Sequence, residues 1–229
     1  MKTALLLSLV TSTVFLSSCA TKFSAAQREA LSTVAIRPTE VQSKAYSEPF
    51  GGDEAARDRA AASGAGGGMI GALVASAVAN GIAGTQNSMF RDSSGKHFPA
   101  VQRHVPGNLA NLVNSELTQS MKSDRFFGPR VRGSSANTVT STITSYNLMR
   151  SGKTGSDELL FSPRVVVYCS LTDGAGKNLF TSSATGVSPS AYSISEFAAD
   201  PSKSKAGYAM AASRAVDTYM ASLAAKTAD

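Results

Sequence analysis

Side chains that could act as metal ligands or nucleophiles are few in this sequence and widely separated. His97 and His104 are the only histidines, and only Asp92 lies close to them. A metal site requires a tighter cluster of ligands, so we predict no metal site. Cys169 lies in the apolar run 165–169, where a thiol is expected to be buried and inert. A nucleophile also requires a positioned base, and none accompanies Cys169 in the sequence.

Pairs of carboxylates, which could divide general acid and base roles between them, are also poorly placed. Asp157 and Glu158 are adjacent, so their side chains point apart on an extended chain. Glu196 and Asp200 flank Phe197 in a predicted loop, where solvated charges are the simpler interpretation. We therefore predict that the protein is not an enzyme and has no cofactor.

The N-terminus indicates a different chemistry, the covalent attachment of lipid. Met1-Lys2 is a short positive segment, and an apolar run too short for a membrane-spanning helix follows from Ala4 to Leu16. The run ends in Leu16-Ser17-Ser18-Cys19, which resembles the lipobox of bacterial lipoproteins. The resemblance implies that residues 1–18 are a signal peptide and that the Cys19 thiol receives diacylglycerol. The alternative is an ordinary secreted protein with a chance cysteine at this position.

Acylation of Cys19 would have two consequences. Cys169 would have no cysteine left to pair with inside the chain, so we predict no disulfide. In lipoproteins that follow the usual sorting rule, an aspartate after the cysteine retains the protein at the inner membrane. Ala20 occupies that position here, so the resemblance implies the outer membrane, with a periplasm-facing or surface location. Membrane lipid is then a partner through the acyl anchor.

The composition is typical of an exported protein with one ordinary domain and an appended segment, or with two small domains. The 229 residues are 42% hydrophobic and only 17% charged, with a formal net charge of +6. A basic surface attracts polyanions, but export removes nucleic acid as a partner. Anionic lipid headgroups or an acidic protein face are the candidates that remain. A solvated, mildly basic surface without a partner is the alternative interpretation.

Residues 60–90 carry no charged side chain and contain small residues at a spacing of four. Because residues i and i+4 lie on one face of a helix, two adjacent rows would form a smooth strip that another backbone can approach closely. This pattern is similar to the glycine zippers of certain outer-membrane lipoproteins and surface antigens. The predicted packing residues of this glycine-zipper segment are Gly64, Gly67, Gly68, Gly71, Ala75, Ala79 and Gly84.

Three interpretations of the glycine-zipper segment remain open. As a helix, residues 64–84 would be about 32 Å long, close to the thickness of a hydrocarbon core, so the segment could span or lie on a membrane. The strip could instead drive self-association, giving a homo-oligomer. A flexible linker rich in glycine and alanine is the third interpretation.

The rest of the chain predicts an α+β fold, with a small antiparallel or mixed sheet and two packed helices. We expect a tether over 19–31 and a domain over 32–229 that the segment 60–90 interrupts. Its first strand, over Ser32 to Val41, is ended or placed at an edge by Pro38. The other elements are a helix capped by Asn108 and stopped at 126–129, strands over 138–149, 163–171 and 178–186, and a closing helix over 202–225.

Without the insertion, this order of elements resembles the helix-on-sheet domains of periplasmic assembly and secretion lipoproteins. Examples are the curli-secretion channel subunit and the amino-terminal domain of the Tol-system propeller protein. The resemblance covers roughly residues 30–50 and 105–226, includes the helix end Arg125-Phe126-Phe127, and transfers no residue role. It implies a non-enzymatic envelope lipoprotein that assembles with itself or with an envelope protein. The alternatives are an auxiliary subunit of an export or lipid-transport machine and an envelope-acting hydrolase.

Overall fold

A computed structural model of the protein describes residues 22–43, 45, 105–154 and 158–227. The predicted signal peptide, Cys19 and the whole glycine-zipper segment lie outside these residues. The described part has the predicted α+β fold, in which helices pack on one side of a mixed sheet.

The elements follow one another in an order close to the predicted one. A 3₁₀ turn at Gly128–Arg130 lies between α2 and β3. The helices and strands are α1 (Ala25–Ala30), β1 (Val34–Ile36), β2 (Glu40–Val41), α2 (Leu109–Ser123), β3 (Val131–Arg132), β4 (Thr138–Lys153), β5 (Leu159–Thr172), β6 (Asn178–Val187), β7 (Tyr192–Ser193), α3 (Ile194–Ala199) and α4 (Pro201–Thr227).

The sheet has the strand order β3-β1-β4-β5-β6, with β2 beside β4 and β7 beside β5. β4, β5 and β6 are antiparallel neighbours, whereas β1 runs parallel to both β3 and β4. A hairpin turn at residues 173–176 joins β5 to β6. The Asp173 carboxylate accepts the backbone N–H groups of Ala175 and Lys177, and Gly176 supplies the positive φ of 79° that the turn requires.

The two faces of the central strands differ in chemistry because successive side chains of a strand point to opposite faces. On β5, Val165, Val167 and Cys169 are buried on the side of the helices. The other face is rich in hydroxyl groups, and hydrogen bonds of 2.9 and 2.8 Å join Thr138 to Thr172 and Thr140 to Ser170. Tyr168 is 43% exposed on that face.

Both long helices bury an apolar stripe whose residues recur at helical spacing. On α2 the buried residues are Leu109, Val113, Leu117 and Met121. On α4 they include Tyr208, Ala212, Val216, Tyr219 and Leu223.

Small residues let α4 lie very close to the sheet. A Cβ added to Gly186 of β6 would lie 1.9 Å from the Ala211 carbonyl oxygen and 2.4 Å from the Ala215 nitrogen. A Cβ added to Gly207 of α4 would lie 2.6 Å from the ring of Pro163 in β5. Both positions therefore require glycine for steric reasons.

The predicted tether is shorter than expected. Phe23 and Leu31 are buried in the hydrophobic core, and residues 25–30 form α1, so the folded domain begins at Phe23 rather than at Ser32. A capping box begins α1: the Ser24 hydroxyl accepts the Gln27 N–H, and the Gln27 side chain accepts the Ser24 N–H. This Ser-x-x-Gln pattern is the sequence signal that would have predicted the helix.

The first strand, β1, ends before Pro38 as expected, and the chain then forms a second short strand, β2, which also pairs with β4. Two local expectations differ from the structure. Asn108 stands at the N-cap of α2, but its side chain makes no capping hydrogen bond. Glu196 lies in α3 rather than in a loop, and Asp200 is the C-cap residue of that helix.

Candidate functional site

The described domain locates the points at which the two predicted functional segments join the fold, although Cys19 and the seven zipper residues lie outside it. The segment with Cys19 joins at Lys22, and residues 46–104, which contain the zipper, join at Ala45 and Val105. These junctions are the candidate functional features of the domain.

The N-terminal junction is fixed to the end of the last helix. The Phe23 N–H donates to the Lys226 carbonyl oxygen at 2.9 Å, and the Arg28 guanidinium donates to the Phe23 carbonyl oxygen at 3.3 Å. The Phe23 side chain is only 6% exposed. The chain therefore becomes rigidly held four residues after Cys19, beside the C-terminal end of α4. We call this part of the molecule the anchor end.

The junctions of the insertion meet at one residue of β4. The Ala45 carbonyl oxygen accepts the Tyr146 N–H at 2.8 Å. Tyr146 also lines a cleft together with Val41, Val105 and Leu109. The 59 residues between these junctions thus leave and re-enter the domain at neighbouring positions. We call this region the insertion base.

The anchor end and the insertion base are far apart along α4. The Tyr146 ring packs edge-on against the Tyr208 ring, with 6.2 Å between the ring centroids. A second cleft beside Val105 is lined by Lys205 of the first turns of α4. Since α4 rises 1.5 Å per residue, about 27–32 Å of helix separates these positions from Lys226. The two predicted functional segments therefore join the domain at different ends.

A cluster of serines and charged side chains lies near the start of α3, and helix capping accounts for it. Ser193 and Glu196 form a reciprocal capping box, and the Ser195 hydroxyl donates to the Glu158 carboxylate at 2.9 Å. Lys203 forms a 3.0 Å ion pair with Glu196.

The titration of this cluster does not resemble that of a general base. The Ser193 N–H and Lys203 lower the pKa of Glu196, and hydrogen bonds from Ser202 lower the pKa of Asp200. Both carboxylates thus remain ionised and occupied as hydrogen-bond acceptors near neutral pH, whereas a general base is most effective with a pKa near the working pH.

Cys169, which the sequence predicts to be buried and without a disulfide, is 1% exposed and has a free thiol. Burial raises its pKa to about 12, so the reactive thiolate is disfavoured at neutral pH. The neighbouring Tyr219 hydroxyl is also buried, and burial raises its pKa too. Neither group has the exposure or the ionisation that nucleophilic catalysis requires.

Residues 22–43, 45, 105–154 and 158–227 contain no group of three or more His, Cys, Asp or Glu side chains that could hold a metal ion. No helix in the same ranges combines the length and the hydropathy needed to cross a membrane.

Comparison with known proteins identifies no family. No family model matches the chain, and no curated protein matches it significantly. Among solved structures, one similar chain comes from Caulobacter crescentus CB15 and is provisionally described as a lipoprotein. The two chains are 19% identical, and the match covers 52% of this chain and 83% of that chain with a TM-score of 0.35. A similarity this weak assigns neither a family nor a function.

Proposed function

We propose that the protein is a non-enzymatic lipoprotein of the bacterial outer membrane. It is anchored there through acylated Cys19 and takes part in assembly or self-association through its glycine-zipper segment. The observation that carries the proposal is the short connection between the lipobox cysteine and the folded domain. The buried Phe23 is the fourth residue after Cys19, and an extended chain over those four steps reaches at most about 14 Å. Acylation would therefore hold the domain itself against a bilayer.

The arrangement of the domain supports separate roles for the two segments. Acyl chains hold a protein on a bilayer because each buried methylene contributes about 0.8 kcal/mol. The insertion base lies about 30 Å from the anchor end, so copies joined there would not crowd the lipid anchors. Connections of 18 residues (46–63) and 20 residues (85–104) link the zipper to the base, and both are long enough to reach back to the membrane. We place the zipper's role in contacts between copies, because small side chains at two adjacent rows favour close backbone packing.

The anchor is tested by mass spectrometry of the protein purified from envelopes. We expect a mature N-terminus at Cys19 that carries diacylglycerol. Cys19→Ala should leave unprocessed precursor, because the lipidated thiol is what the processing enzyme requires. An unacylated mature N-terminus in the native protein would show that the anchor is absent.

The zipper is tested by crosslinking in native envelopes with two paired variants. Gly68→Leu with Gly71→Leu places bulky side chains on the packing strip, and we expect the crosslinked oligomer to disappear. Met69→Leu with Val74→Leu changes the opposite face and should leave the oligomer in place. Protease resistance of the α+β domain controls for folding. An oligomer that survives the glycine substitutions would mean that the segment is an anchor or a linker.

A further inference from the structure

The charged side chains of the described domain are distributed unevenly between its two ends. Several elements have an end at the anchor end. The starts of α2 and α4 line one cleft, and their middles are joined by the Ser213 to Glu116 hydrogen bond, so the two helices run parallel and α2 ends on the same side as α4. The starts of β1 and β3 pair there at Val34 and Val131. The basic residues at this end are Lys22, Arg28, Lys122, Arg125, Arg130, Arg132, Lys177 and Lys226.

Acidic side chains at the anchor end are fewer. They are Glu29, Asp124 and Asp173 in the described residues, and Asp229 follows in the sequence. The carboxylates of two of them are occupied locally. Asp124 accepts the backbone N–H groups of Phe126 and Phe127, and Asp173 accepts two N–H groups of its turn. The exposed residues of the basic set are Lys22, Lys122, Arg125, Arg132 and Lys177.

The opposite end is more nearly balanced. Four basic and three acidic residues of the described chain lie there, and Lys203 is paired with Glu196. They are Arg150, Lys153, Lys203, Lys205, Glu158, Glu196 and Asp200. Most of the excess of positive charge in the described domain therefore lies at the end where the chain leaves towards Cys19.

We infer that the anchor end is a membrane-contacting surface that binds the headgroups of anionic phospholipids. This inference rests on the proposed function, because acylation at Cys19 would bring this end within about 14 Å of the bilayer surface. Lysine and arginine side chains within about one Debye length of an anionic bilayer are attracted to it. The acyl chains on Cys19 would hold the domain at the bilayer, and a basic patch facing the headgroups would add electrostatic attraction that favours one orientation. The surface would orient α4 with its C-terminal end towards the lipid and the insertion base away from it.

The test uses the full mature chain without its lipid, residues 20–229, and its sedimentation with phospholipid vesicles. One vesicle preparation contains phosphatidylglycerol in phosphatidylcholine, and the other contains phosphatidylcholine alone. We expect binding to the anionic vesicles that weakens as salt is raised, with little binding to the neutral ones. Lys122→Glu with Arg125→Glu should weaken the anionic binding by about tenfold or more.

The matched control is Lys205→Glu with Arg214→Glu, which changes the net charge by the same amount on exposed residues away from the anchor end. We expect its binding to stay within about twofold of the unaltered chain. If both variants lose vesicle binding equally, only the net charge of the protein matters. If the unaltered chain binds both vesicle types equally, the contact is apolar. Either result, or no binding to either vesicle type, overturns the inference. Since no acylated protein is used, none of these results bears on lipidation at Cys19.

Discussion

Gly186 shows how strongly a single residue can be constrained by the element packed on it. The Ala211 carbonyl oxygen and the Ala215 nitrogen occupy the space where its side chain would be. Because these are backbone atoms of a long helix, they cannot move aside as a flexible side chain would. The position tolerates no side chain for reasons that only the tertiary structure reveals.

We expect Gly186→Ala to lower the free energy of unfolding by about 3 kcal/mol or more, since overpacking against backbone forces α4 away from the sheet. Gly152→Ala is the matched control in β4, because a Cβ there meets nothing within 4 Å. Urea unfolding of the two variants measures the difference. Similar stability for both would show that α4 does not rest on β6 as described.

Cys169 gives a second prediction at the residue scale. Its burial predicts that a maleimide labels the folded protein slowly at pH 8 and the urea-unfolded protein rapidly. The folded pKa of about 12 lies above the ordinary value of 9.0, so the protonated thiol stabilises the fold below pH 9. Between about pH 9 and pH 12 the Cys169 thiol of the unfolded chain loses its proton while that of the folded chain keeps it, so this contribution to stability is lost as pH rises. Rapid labelling of the folded protein would contradict the assignment of this residue to the buried face of β5.

At the scale of elements, the long periodic segments could be predicted from the sequence and the short ones could not. The apolar stripe of α2 extends over several helical turns, and the alternation of apolar and polar residues in β4 extends over several residue pairs. Each pattern is therefore long enough to predict its element. α1 and α3 have only six residues each, too few for periodicity, and they depend on capping boxes and on burial of Phe23 and Phe197. β4 and β5 extend beyond their predicted limits through the polar stretch near Gly152, because each strand pairs with the other there.

The end of α2 illustrates an element that depends on one polar side chain. The Asp124 carboxylate accepts the N–H groups of Phe126 and Phe127 at 2.8 Å each, which turns the chain so that Phe127 enters the core. We expect Asp124→Ala to lower the free energy of unfolding by about 1–3 kcal/mol. Asp124→Asn keeps an acceptor oxygen and should recover much of the loss. Thermal unfolding distinguishes the two, and an alanine variant as stable as the original would refute this role.

At the scale of the whole molecule, the candidate site was only partly accessible from the sequence. The lipobox and the small-residue rows are local patterns, so the sequence could propose Cys19 and the zipper without a fold. The separation of about 30 Å between the anchor end and the insertion base depends on the pairing of Phe23 with Lys226 and of Ala45 with Tyr146. These contacts join residues far apart in the chain, and no local pattern encodes them.

The neighbouring junctions at Tyr146 predict that the insertion can be removed. Replacing residues 46–104 by a short glycine-serine loop should leave the domain folded, with stability unchanged or raised by at most about 2 kcal/mol through the shorter loop. Circular dichroism melting measures this, and crosslinking should show that any oligomer is lost. A chain that fails to fold without the insertion would mean that the α+β domain is not autonomous.

The hydrogen bond between Phe23 and Lys226 also makes the protein a natural candidate for circular permutation. A short linker could join the two ends of the domain, and new termini could be opened at the turn between β4 and β5, near Thr154. A lipobox fused to the new N-terminus would then attach the domain by its opposite end. In such a permutant the insertion base would lie towards the lipid and the anchor end away from it. The orientation of the domain relative to the membrane could thus be reversed without changing the residues that the domain contains.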